Sequence, residues 1–246
     1  SQITNMFALF RDKTTFNSNI SNWDVSKVTT MNTMFRECNA FNQNIGGWNT
    51  GNVEDMRYMF YGAEAFNQPI GTWNVSKVTN MFRMFDSALI FNQNINAWNV
   101  GNVNSMSFMF DAADAFNQPL NSWNVSSVTD MRFMFYQASV FNQDISSWNV
   151  SGVTYMGNMF YNAYAFNQDL SSWDVSNVTD MQRMFNATSL STTNYDAILN
   201  GWSALTVQPN VPFGTATIPY SAAAAAAHNT LTSAPNSWII TDGGQV

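Results

Sequence analysis

"FNQDISSWNVSGVTYMGNMF", residues 141–160, contains the pattern that decides the fold, because the chain repeats it at a fixed interval. Closely similar segments stand 25 residues earlier, in "FNQPLNSWNVSSVTDMRFMF" (116–135), and 25 residues later, in "FNQDLSSWDVSNVTDMQRMF" (166–185). Phe, Trp and Met each recur seven times in this register, without an insertion or a deletion. A fixed period of this length is typical of a solenoid, in which neighbouring units bury each other's apolar side chains.

The same period predicts the domain organisation. Residues 1–15 form a partial repeat that opens inside the pattern, so we expect a mature or trimmed piece of a longer protein. The solenoid is predicted to cover residues 1–190, and its seven full units start at residues 16, 41, 66, 91, 116, 141 and 166. Residues 191–246 break the period and are expected to pack on the solenoid as a C-terminal α/β cap.

Each unit contains two periodicities. The apolar residues of "VTDMRFMFYQA" (128–138) fall at i, i+3, i+4 and i+7, which predicts an amphipathic helix. In "LNSWNV" (120–125), Trp123 and Val125 alternate with polar residues, which predicts a short strand. Stacked strands lie about 4.8 Å apart and packed helices roughly 8–10 Å apart, so the stack should curve with its strands inside. We therefore predict a right-handed, leucine-rich-repeat-like α/β solenoid of strand–helix coils.

Four elements are expected in the cap. "TTNYDAILNGWSAL" (192–205) predicts a helix, and "VPFGTATIPY" (211–220) predicts a strand or a hairpin edge. "SAAAAAAHNTL" (221–231) is a second helix by propensity, and "SWIITD" (237–242) predicts a closing strand. The inward side of the first helix is predicted to carry Tyr195, Ile198, Leu199 and Trp202.

The spacing Ile-x-x-Trp-x-Val-x-x-Val (145–153) matches the core of a leucine-rich repeat, with Val153 at the usual polar position. With the recurring Phe-Asn-Gln and Val-Thr-x-Met-x-x-Met-Phe segments, residues 1–190 resemble the BspA-like leucine-rich-repeat bacterial surface proteins. The C-terminal segment is also similar to the closing segment of such proteins. The resemblance implies a secreted protein at the bacterial cell surface, with a role in adhesion or host contact. It leaves the ligand open.

Composition argues against several functions. The net charge of −7 disfavours nucleic acid, and no apolar run is long enough for membrane insertion. The chain has a single histidine and a single cysteine, and it has no Gly-rich phosphate loop. We therefore expect no enzyme, no metal site and no cofactor. One alternative is a structural calcium ion between Asp144 and Asp169, which are in register and could pair their carboxylates.

A lattice of small neutral side chains follows the predicted inner strand face. We interpret it as a concave ligand face for an extracellular protein or a glycan. It could also be a solvated surface kept free of stacked like charges, or an ice-binding surface. The ligand-face candidates are Asn49, Asn74, Asn99, Asn124, Asn149, Asp174, Ser76, Ser126 and Ser151.

Aromatic residues on the predicted outer face form the second candidate surface. Exposed aromatic rows can mark an interface, which here would join copies of this chain in a surface structure or filament. The alternative is packing between neighbouring units. These assembly-face candidates are Tyr58, Tyr61, Phe82, Phe108, Phe133, Tyr136 and Tyr161.

Overall fold

The structure is a computed structural model that describes residues 2–246. Within that range, helices and strands of more than one residue occur only in the C-terminal segment. They are α1 (Thr192–Ser203), β1 (Pro212–Gly214), a 3₁₀ helix (Ala222–Ala224), α2 (Ala225–Thr232) and β2 (Ile239–Thr241). The strands β1 and β2 pair in parallel.

The repeats form a stack of coils that are hydrogen-bonded to each other at equal register. Between neighbouring coils, Met131 N donates to Tyr155 O (2.9 Å), and Phe133 N donates to Gly157 O (3.1 Å). Single-residue parallel bridges mark the same contact along the stack and join, in order, Asn5, Thr30, Asp55, Asn80, Ser105, Asp130, Tyr155 and Asp180. Backbone hydrogen bonds between coils therefore replace bonds within a helix.

The helix predicted over 128–138 is absent, because this segment forms consecutive turns instead. Met134 N donates to Met131 O, and the third residue of that turn, Phe133, has φ +58°. The next such turn has Gln137 at its third position, with φ +57°. A positive φ at the third residue is the requirement of a type II turn and is incompatible with a right-handed helix.

The strand predicted over 120–125 is also absent. Residues 121–122 form a turn, and residues 123–125 make no ladder with the next coil. The bridge between coils lies instead at Asp130, inside the segment that was predicted to start the helix. The right-handed direction and the curvature of the stack stay predictions.

The apolar columns form one continuous core, as the periodicity predicted. Phe35 and Phe60 stack at 5.7 Å between ring centroids, and Trp48 and Trp73 stack at 6.4 Å with planes 3° apart. The Met and Phe columns are buried throughout the full coils, apart from the half-buried Phe16. Such stacked aromatic rings combine large apolar burial with favourable ring contacts.

The Asn of each Phe-Asn-Gln segment ties its coil to the next. Asn142 Oδ1 accepts a hydrogen bond from Asn167 N (2.9 Å) and another from Gln168 Nε2 (2.8 Å). These bonds satisfy a backbone N–H that would otherwise be unpaired at the return of the chain. This column therefore has a structural role.

The C-terminal segment continues the columns of the core. α1 buries Tyr195, Ile198, Leu199 and Trp202, as predicted. Trp202 Nε1 donates to Leu170 O at 3.1 Å, which is the bond that the Trp of a coil makes to the coil before it. Phe213 of β1 forms a bridge with Met181, so β1 takes the place of the next coil.

Candidate functional site

An exposed column of asparagines, one per coil, lies between the buried Trp and Val columns. We call this set the amide column. Its members are exposed, whereas Trp148 and Val150 on either side of Asn149 are buried. The amide column consists of Asn49, Asn74, Asn99, Asn124 and Asn149.

The oxygen of each amide in this column is used inside its own coil. Asn99 Oδ1 accepts from Gly101 N at 3.2 Å, and Asn124 Oδ1 accepts from Ser126 N at 3.2 Å. These are Asx turns, which fix the side chain relative to the backbone. Because the oxygen is held, the orientation of the NH2 group is held as well.

The NH2 group of each amide in this column is free to bind something else. Within residues 2–246, the amide column shows no hydrogen bond from an Nδ2 atom to a protein acceptor. Asn74 Nδ2 lies beside Gly51 of the preceding coil, where an added Cβ would approach it to 3.2 Å. The column therefore presents five oriented donors in a row.

The other ligand-face candidates lie next to the amide column. Asp174 has the same turn geometry, since its Oδ1 accepts from Ser176 N at 3.0 Å. Its pKa lies below the usual range, because the hydroxyl and then the backbone N–H of Ser176 stabilise the carboxylate. Ser126 is exposed, and Ser76 and Ser151 are half-buried. The structure thus brings all nine predicted ligand-face residues onto one surface.

The seven assembly-face candidates form a second continuous feature, the aromatic ridge. Phe108 and Phe133 stack at 4.3 Å, and Tyr136 and Tyr161 stack at 5.1 Å. Phe82 contacts both Tyr58 and Phe108 edge-on. All seven rings are half-buried, largely against each other, so packing between coils accounts for part of the pattern.

A pair of acidic residues, of which Asp86 is buried and Asp111 is half-buried, lies at one edge of the aromatic ridge. Asp86 is buried and accepts from Arg83 Nη1 at 2.5 Å. Asp111 occupies the same register in the next coil, and burial, followed by the charge of Asp86, raises the pKa of Asp111 to about 7. Sequence analysis missed this pair, although both acids stand where neighbouring units carry Tyr61 and Tyr136.

Asp144 and Asp169 lie side by side at a shallow surface cavity of about 340 Å³. Each carboxylate accepts a backbone N–H two residues later, and the N–H of Ser146 holds the pKa of Asp144 below its usual range. Among residues 2–246, no group of three or more His, Cys, Asp or Glu side chains is arranged to hold a metal ion. The calcium site stays a prediction.

The single histidine belongs to a buried cluster in the cap. His228 Nε2 lies 3.3 Å from Asp242 Oδ2, and Tyr195 Oη donates to the same oxygen at 2.8 Å. Burial, reinforced by the charge of Asp242, raises the pKa of Tyr195, so the phenol stays a donor. The cluster joins α1, α2 and the C-terminal residues, which is a structural role.

A further cavity, of about 310 Å³, lies where the last coil meets β1 and β2. Arg183, Asn186 and Gln182 supply its polar lining, and Ile239 contributes apolar surface. No sequence motif pointed to this cavity. A comparison of the repeats could have pointed to it, because Arg183 and Asn186 stand 100 residues after Arg83 and Asp86 and the acid is replaced by an amide.

These features define the class of the chain, which is a repeat protein whose coils carry one polar and one aromatic surface. Two overlapping matches to one family profile cover residues 1–98 and 83–202. The chain therefore belongs to the family described as "Mycoplasma protein of unknown function, DUF285". Comparison with curated proteins and with solved structures finds no match. None of the helices in residues 2–246 combines the length and apolar character needed to cross a membrane.

Proposed function

We propose that the chain is a non-enzymatic extracellular binding module that uses the amide column to hold a protein or glycan ligand. The observation that carries the proposal is the row of free NH2 groups, one per coil, each fixed by a turn that holds its oxygen. Donors at a regular spacing suit a ligand with regularly spaced oxygen acceptors, such as a sugar chain or an extended peptide backbone. Solenoids commonly bind ligands along one such surface.

Location at a bacterial cell surface is part of the same proposal. It rests on the resemblance of the repeat to BspA-like surface proteins and on the family assignment, whose description leaves the function unassigned. The net charge of −7 favours neither nucleic acid nor an anionic membrane as the partner. We propose that binding needs no cofactor.

The test replaces the NH2 donors and keeps the turns. Asp24 and Asp174 occupy the same register as the amide column and accept the same backbone N–H at 3.0 Å, so Asn→Asp preserves the turn. We expect Asn99→Asp with Asn149→Asp to abolish retention on a glycan and matrix-protein array. These two positions lie two coils apart, which limits repulsion between the new carboxylates.

Two results separate binding from folding. The melting temperature of the double variant should match that of the wild type within a few degrees. A matched control, Asn44→Asp with Asn94→Asp, adds the same charge at two exposed Asx turns outside the amide column and should retain the ligand. Equal retention by the wild type and the Asn99/Asn149 variant would contradict the proposal.

A second candidate function is self-assembly through the aromatic ridge. Its support is the unbroken series of ring contacts that runs from Tyr58 to Tyr161. Light scattering over a concentration series tests it, with Phe133→Ser combined with Tyr136→Ser. Assembly predicts that this variant has smaller particles, whereas Tyr164→Ser, at an exposed position outside the ridge, leaves particle size unchanged. A wild type that stays monomeric at every concentration rules this candidate out.

A further inference from the structure

The segment that lines the cavity between the last coil and the cap has an equivalent segment earlier in the chain. Arg83 and Arg183 occupy equivalent positions 100 residues apart, and both have φ +55°. Asp86 N and Asn186 N donate to the carbonyl oxygens of Arg83 and Arg183, at 3.5 and 3.3 Å. The two segments therefore have matching backbones.

The two segments differ in the residue that faces the arginine. Arg83 is paired with the carboxylate of Asp86, which is buried three residues later. At the equivalent place in the last coil stands Asn186, which has nearly the same shape as Asp but no charge. Within residues 2–246, Arg183 makes no ion pair, and Asn186 Oδ1 is buried without a hydrogen-bond partner. Arg183 thus lacks the carboxylate that Arg83 has.

Space for an external carboxylate exists beside Arg183. The cavity of about 310 Å³ is lined by Arg183 and Asn186 on the side of the coil and by β1 and β2 on the side of the cap. Gly214 allows this close approach, since a Cβ there would lie 2.6 Å from Arg183 N. Ile239, which is 64% exposed, offers apolar surface to the rest of a ligand.

We propose that this cavity binds the carboxylate of a ligand. The planar guanidinium of Arg183 can donate two parallel hydrogen bonds to the two oxygens of that carboxylate. A uronic acid residue of a glycan and the C-terminal end of a peptide both supply this chemistry. The proposal is independent of the amide column, which lies on another side of each coil.

The test is a titration of ¹⁵N-labelled protein with D-glucuronate and with N-acetyl-dialanine, followed at the amide of Gly214 and the side-chain Nε of Arg183. We expect saturable shifts with at least one carboxylate. Glucose and N-acetyl-dialanine amide, which lack the carboxylate, should give none. Tighter binding of glucuronate assigns an acidic sugar, and tighter binding of the peptide assigns a chain terminus. Absence of saturable shifts with both carboxylates overturns the proposal.

Two variants assign the binding to Arg183. Arg183→Gln should weaken binding by about tenfold or more, as expected for loss of a charged hydrogen-bond partner. Asn186→Asp restores the internal ion pair seen at Arg83 and Asp86, so it should block the cavity without lowering the melting temperature. Arg11→Gln, with the same change of charge at the opposite end of the stack, should bind as the wild type does. Undiminished binding by Asn186→Asp also overturns the proposal.

Discussion

At the scale of the residue, the exposed asparagines show how one side chain serves both fold and surface. The oxygen of Asn124 closes a turn within its coil, which leaves its NH2 group directed outward. The asparagine of Phe-Asn-Gln, such as Asn142, instead uses its oxygen to hold the next coil. The sequence analysis assigned only the first column to the ligand face, from its position in the repeat and not from its hydrogen bonds. The hydrogen-bond partners distinguish them.

Asp86, which is buried, and Asp111, which is half-buried, predict a dependence of stability on pH. Because the folded-state pKa of Asp111 is about 7, well above the value of an unfolded chain, the folded protein binds more protons between pH 4 and 7. Stability should therefore fall as pH rises through this window. Asp86, whose pKa burial also raises despite its pairing with Arg83, acts in the same direction.

Asp111→Asn tests this expectation, because it removes the charge and keeps the shape. We expect the variant to melt several degrees higher than the wild type at pH 8. At pH 4.5 the variant and the wild type should have the same melting temperature. Asp114→Asn, at an exposed position in the same coil, is the control and should change neither value. A wild-type melting temperature that rises from pH 5 to pH 8, with the same rise in Asp111→Asn, would be incompatible with this account.

Backbone strain gives a second prediction at the same scale. Ala187 is exposed and has φ +58°, a conformation that a Cβ disfavours and that glycine adopts freely. We expect Ala187→Gly to raise the free energy of unfolding by about 0.5–1 kcal/mol in urea denaturation. Ala165→Gly, where φ is not positive, should lower it by a similar amount. The same sign for both substitutions would contradict the left-handed turn.

At the scale of the element, the sequence predicted which residues are buried but not the element that buries them. Met131, Met134, Phe135 and Ala138 face the core, as a helical spacing requires. Consecutive four-residue turns return side chains to the same side at nearly the same intervals as a helix, so the spacing of apolar residues cannot distinguish turns from a helix. The sequence did contain one indication of turns. At the positions with positive φ, other coils carry Asn158, Asn162 and Gly62, and Asn and Gly adopt this conformation more readily than other residues.

The Trp column allows a prediction about the bond between coils. Trp123 Nε1 donates to Ile95 O at 3.1 Å, and its ring stacks on Trp148. Trp123→Phe loses this bond and leaves a smaller ring, so we expect a loss of about 1.5–3 kcal/mol in the free energy of unfolding. Trp23→Phe is the matched control.

Trp23 stands at the open end of the stack, where its side chain is 39% exposed. Within residues 2–246 its indole N–H has no carbonyl partner equivalent to Ile95 O. The same substitution there should cost less than about 1 kcal/mol. Equal losses at Trp23 and Trp123 in urea denaturation would show that the bond between coils contributes little.

At the scale of the whole molecule, the repeat period was sufficient to predict a stack with a distinct C-terminal segment. The helix α1 and its four inward residues were also predictable, because an isolated amphipathic pattern follows a capping serine. The cap cavity was not predictable, since it depends on how Gly214 lets β1 approach Arg183. That contact joins residues far apart in the sequence and has no local pattern.

Each proposed surface depends on coils that are joined by hydrogen bonds between turns. Backbone ¹³C chemical shifts and three-bond HN–Hα couplings, assigned along the chain, test this most directly. The account predicts helical shifts only in 192–203 and 225–232, with couplings of a positive φ at Phe133 and Gln137. An unbroken run of helical shifts across 128–138 would contradict it.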